Sequence, residues 1–161
     1  MTDSAIAVSN LIARYAELID LGDFDGVADL LGDAAVGDGK AAGSEAGGEA
    51  GGAPPRLLTG RDAILGMFTS TTRRYPDGTP GTKHVTTNLI LDIDEEAGQA
   101  AARSYWTVLQ AVPGLALQPI LAGRYHDRFE RVDGSWRFSE RRYLIDLVGD
   151  VSQHMLANIP T

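Results

Sequence analysis

The sequence predicts an α+β fold in which helices cover one face of a curved antiparallel sheet. Three observations carry this. Apolar residues recur at helical spacing only in the first half of the chain. The second half changes to strand-like runs rich in β-branched and aromatic residues. The runs are punctuated by hairpin signals, of which Asp133-Gly134 is the strongest. Helices first and a meander afterwards is the pattern of segregated α and β layers.

The elements follow in order. Ser4 is positioned to cap a first helix running to about Leu21, with Val8, Leu11, Ile12, Tyr15, Leu18 and Ile19 as its buried face. Gly22 ends it. Asp23 caps a short second helix through Leu31, whose apolar side carries Phe24, Val27, Leu30 and Leu31. Residues 37–55 read as a flexible Gly/Ala-rich insertion with nothing to bury, and long segments of this kind are either tolerated surface loops or lids. Leu57 and Leu58 suggest a short strand. A third helix is expected from Arg61 to about Tyr75, with Ile64, Met67 and Phe68 inward and Pro76-Asp77-Gly78 as its stop. Strands are expected over 83–94, 100–112, 118–132 and 135–147. The tail after Asp150 reads as a short helix or a frayed end.

A chain of 161 residues with 43% apolar and 22% charged residues supports one domain with a real core. The net charge of −8 argues against free nucleic acid and anionic membrane surfaces as partners. No Cys is present, which removes disulfides, thiolate nucleophiles and Cys-based metal sites. The N-terminus has no basic region followed by a long apolar run, so no signal peptide is expected, and a cytoplasmic location fits. The three histidines are scattered without ligand spacing, so no dedicated metal site is expected. No glycine-rich phosphate loop or Gly-x-Ser-x-Gly elbow occurs.

Two residues stand out chemically. Asp20 ends the first helical pattern, against the negative end of the helix dipole. His84 opens a strand whose alternate members, His84, Thr86 and Asn88, form a polar stripe that faces solvent or a polar cavity. A carboxylate beside an imidazole is a general base that works near neutral pH. Tyr15 lies five residues before Asp20, about 140° around an ideal helix, so regular geometry does not place the two on one stripe. Arg141 differs in strand parity from Trp136 and Phe138 and points away from them unless a bulge intervenes. His126 reads as an exposed-face residue and His154 as incidental to the tail.

Four frames, taken in order, resemble the SnoaL-like branch of the NTF2-like superfamily. They are Arg14-Tyr15-Ala16 with Asp20-Leu21-Gly22-Asp23; Gly60-Arg61-Asp62-Ala63-Ile64; Lys83-His84-Val85-Thr86-Thr87-Asn88; and Gly123-Arg124-Tyr125 with Arg131-Val132-Asp133-Gly134-Ser135-Trp136-Arg137-Phe138. The resemblance implies a cone-shaped barrel, in which three N-terminal helices on a strongly curved antiparallel sheet enclose one pocket. The chain is similar to the lindane dehydrochlorinase, bile acid 7α-dehydratase and scytalone dehydratase group. That similarity implies catalytic roles for Asp20 and His84 as a dyad, for Tyr15 as a hydrogen-bond donor and for Arg141 as a pocket cation. The dehydrochlorinase carries a lysine at the Tyr15 position, a difference that favours an oxygen leaving group or an enolisable ketone. No residue matches the second strand histidine of scytalone dehydratase. Phe68, Asn88, Trp106 and Tyr143 are the expected substrate-binding residues.

The function this implies is cofactor-independent lyase or isomerase chemistry, dehydratase-like, on a small hydrophobic cyclic or polyketide/steroid-like substrate. A polyketide-type cyclase and a non-catalytic ligand-binding or assembly subunit are the alternatives. A bent sheet leaves an outer apolar face, so a homo-oligomer, dimer or trimer, is expected.

Overall fold

The structure, a computed structural model, describes residues 3–39 and 57–156. Its elements are α1 (Ser4–Asp20), α2 (Phe24–Leu31), β1 (Ala35–Asp38), β2 (Leu57–Thr59), α3 (Arg61–Thr71), β3 (Thr82–Asp94), β4 (Gln99–Val112), β5 (Leu115–Val132) and β6 (Ser135–Val148). The six strands form one sheet in the order β2-β1-β6-β5-β4-β3. The helices pack on it as expected for an α+β fold. The sheet is mixed and open, because β1 runs parallel to β6 and both β2 and β3 remain edges. β1 was not foreseen: Gly37 and Asp38, expected in the insertion, are strand residues. From residue 40 to 55 the insertion lies outside the described residues.

Local chemistry explains most boundaries. Asp3, one residue before Ser4, caps α1 by accepting from the Ala5 N–H at 2.8 Å. Ser4 instead accepts the Trp136 indole N–H at 3.0 Å and ties α1 to β6. Helix α1 ends in paired bonds, Gly22 N–H to Ile19 O and Asp23 N–H to Leu18 O, with Gly22 at φ 72°. Gly22 cannot be replaced cheaply: a Cβ there would fall 2.0 Å from the Gly78 carbonyl oxygen. Asp23 caps α2 through the Gly26 N–H at 2.8 Å. Helix α3 stops at Thr71 rather than near Tyr75. The run Ser70-Thr71-Thr72 bonds back to Met67 O through two hydroxyls, and Thr72 turns extended to bridge Met155. Asp133-Gly134 has positive φ at both positions, as a tight hairpin requires.

Two bulges decide which side chains face the helices. In β3 the register shifts between Thr87 and Ile90, where Asn88 adopts φ 53°. His84 and Thr86 point inward before the shift, while Leu91 and Ile93 pack inward after it. In β6 one extra residue, Ser139, sits between the pairs Phe129–Phe138 and Arg128–Glu140. That insertion reverses parity, so Phe138 and Arg141 are both buried.

A candidate active site

Asp20 is the last residue of α1, and its carboxylate reaches across to the start of β3. His84 Nδ1 lies 2.6 Å from Asp20 Oδ1. The His84 backbone N–H donates to Oδ2 at 2.8 Å, and the Thr82 hydroxyl donates to Oδ1 at 2.8 Å. Both side chains of the pair are 8% exposed. Burial works against the Asp20 carboxylate, but the imidazole and these hydrogen bonds together hold its pKa below the ordinary carboxylate value. An ionised carboxylate only accepts, so the proton in the short contact sits on Nδ1 and the neutral ring leaves Nε2 bare.

The dyad opens on a cavity of about 350 Å³, within the range of small-molecule pockets. Its lining is mostly apolar and includes Phe68, Trp106, Val108 and Leu121, with the tyrosines Tyr15, Tyr125 and Tyr143. Tyr15 and Asp20 do not share a stripe of α1; His84 joins them, with its ring edge-on to Tyr15 at 6.3 Å between centroids. The Tyr143 hydroxyl donates to the Tyr15 hydroxyl at 3.2 Å, which leaves the Tyr15 proton available to a ligand. Burial raises the Tyr15 pKa, against the opposing charge of Arg141, so the phenol stays a donor.

Two expected site residues stand elsewhere. Arg141 does not line the cavity. Its side chain is wholly buried beneath the tyrosines, in a two-pronged bond to Asp127 at 2.9 and 2.8 Å. Its guanidinium stacks over Tyr125 at 4.0 Å and Tyr15 at 4.2 Å. Burial works against that charge, and the facing carboxylate more than offsets it. Asn88 is exposed, because the β3 bulge carries it off the inward stripe. Phe68, Trp106 and Tyr143 do line the cavity.

Sequence reasoning missed His154. It is 6% exposed and lines the cavity, brought there by a turn after β6. Burial pushes its pKa down to about 4. A lone histidine in a tail carries no spacing signal that could have placed it. Tyr125 was also missed as a lining residue, although it shares its strand parity with the apolar Phe129 in β5. Among the described residues no group of three potential metal ligands occurs, and no helix is long and apolar enough to cross a membrane.

The comparisons agree on the fold. A proposed scytalone dehydratase from Novosphingobium aromaticivorans is 23% identical with a TM-score of 0.64, over 91% of this chain and 87% of that one. An NTF2-like protein with a cystatin-like fold from the same organism is 21% identical with a TM-score of 0.61, over 88% and 80%. The β subunit of a proposed aromatic-ring-hydroxylating dioxygenase, also from that organism, is 16% identical with a TM-score of 0.65, over 88% of each chain. No curated protein matches the sequence. The SnoaL-like domain profile matches residues 2–142, and the chain belongs to that family.

Proposed function

We propose that this chain is a cofactor-independent lyase or isomerase, dehydratase-like, acting on a small hydrophobic cyclic substrate. The observation that carries the reading is the 2.6 Å Asp20–His84 contact, with His84 on the wall of a mostly apolar cavity and Asp20 behind it. His84 Nε2 takes a proton from a carbon next to a carbonyl. The C–H electron pair moves into the ring carbonyl, whose oxygen becomes an enolate. Asp20 fixes the tautomer and stabilises the imidazolium that forms. The Tyr15 hydroxyl donates to the developing oxyanion, with Tyr143 hydrogen-bonded behind it. In elimination the enolate expels a β-hydroxyl, which leaves as water with the proton from His84. In isomerisation His84 returns the proton to another carbon. Arg141 touches no substrate in this scheme; it braces the two tyrosine rings stacked against it.

The test is deuterium wash-in at the α-carbon of cyclic ketones, β-tetralone first, in deuterium oxide. Wild type is expected to catalyse exchange, and His84→Ala and Asp20→Asn to lose it. Exchange surviving intact in both variants overturns the assignment.

A non-catalytic assembly role is the second reading, favoured by the likeness to a dioxygenase β subunit. It predicts no exchange in wild type and recovery with a larger partner. Under either reading we propose self-association through the sheet face opposite the helices, where Val85, Tyr105 and Leu147 are exposed. Sedimentation equilibrium is expected to give a dimer or trimer; a monomer at micromolar concentration contradicts it.

A further inference from the structure

The segment after β6 is tied down on several sides. The His154 and Met155 N–H groups both donate to Val151 O, closing a turn. The Arg73 N–H donates to His154 O at 2.8 Å, and the Leu156 N–H donates to Thr71 O at 2.9 Å. Gln153 O accepts from the Tyr75 hydroxyl at 2.7 Å and from the buried Gln110 side-chain amide at 3.2 Å. Every one of these bonds uses the backbone of the turn. None needs the His154 imidazole, so an apolar side chain of similar volume would serve the turn equally well.

The imidazole nonetheless lines the dyad cavity, and its Nδ1 is buried with no hydrogen-bond partner among the described residues. The indole Nε1–H of Trp106, in the same lining, is buried and unpartnered in the same way. Buried polar atoms are overwhelmingly bonded in native interiors, so two orphans in the lining of one cavity mark polar groups that the protein itself leaves unmatched there.

We propose that His154 is a further substrate-contacting residue, hydrogen-bonding an oxygen substituent of the ring that His84 deprotonates. The inference takes the cavity as the substrate site, as the proton-transfer reading does, and narrows the substrate to an oxygen-bearing ring. Burial keeps the ring neutral, so it offers one N–H and one lone pair, and it can either donate to a carbonyl or accept from a hydroxyl. The two cavity histidines then have separate tasks: His84 is backed by a carboxylate, and His154 is not.

The test reads binding rather than turnover, so its failure is separate from failure of the proton-transfer reading. β-Naphthol and naphthalene are titrated into the full chain, with the histidine ring nitrogens followed by NMR. β-Naphthol is expected to shift the His154 resonances in wild type. His154→Leu is expected to weaken β-naphthol by about tenfold while naphthalene changes less than about twofold. His154→Gln, which keeps a polar tip, should fall between. The proposal is overturned if β-naphthol does not bind, if it leaves His154 unmoved in wild type, or if His154→Leu weakens both probes equally.

Discussion

Two acid–base pairs stand in one interior, and they differ in what they can do. Asp127 and Arg141 face each other directly across β5 and β6, joined by two hydrogen bonds, with both side chains wholly buried. Asp20 and His84 bridge a helix end and a strand start, with one ring nitrogen turned to the carboxylate and a cavity beside them. A guanidinium does not give up its proton at any ordinary pH, so the closed pair is a brace. An imidazole can, so the open pair can move protons. Chemistry here follows from the base chosen and from whether its second face meets a cavity.

The largest effect expected from breaking this contrast is on rate. Asp20→Asn should lower ketone exchange by about 10²–10⁴-fold, as loss of a working general base does, while urea denaturation moves far less. A variant as active as wild type makes Asp20 a structural cap. Next comes stability. Arg141→Leu strands the Asp127 carboxylate in the core and should cost about 3–5 kcal/mol in urea denaturation. Replacing both residues by Leu should restore most of it, and a single-variant loss below about 1 kcal/mol means the pair is not closed.

A smaller effect separates His154 from both pairs. Its pKa falls from 6.5 to about 4 on folding, so the unfolded chain binds more protons between those values. Its contribution is full above pH 6.5 and is lost as pH falls toward 4, amounting to about 3 kcal/mol. Asp20, lowered by its bonds to His84 and Thr82, loses its own contribution only below the ordinary carboxylate value, in a separate window. His154→Leu should flatten the slope between pH 6.5 and 4. An unchanged slope shows that His154 is not buried neutral in solution.

The layers were legible because helical and strand periods occupy different halves of the chain, and the Asp133-Gly134 turn fixed a hairpin by its backbone demands. What was hidden depended on contacts distant in sequence. Strand β1 is four residues long and exists because β6 lies beside it. The bulges at Asn88 and Ser139 leave no local mark, yet one removes Asn88 from the cavity and the other turns Arg141 into the core. The partner of Arg141 was equally invisible: Asp127 stands between His126 and Arg128 and reads as surface charge. Asp20 and His84 could be named as candidates, but their contact depends on the Gly22 turn and the approach of β3 to the end of α1.

The central claim is that Asp20 holds His84 ready as a base, and the tautomer of the neutral His84 ring tests it most directly. Long-range proton–nitrogen NMR on wild type should show the proton on Nδ1 and a bare Nε2, with Asp20→Asn shifting the balance between the two. A ring protonated on Nε2, with Nδ1 bare toward Asp20, would contradict the account, because no base would then face the cavity.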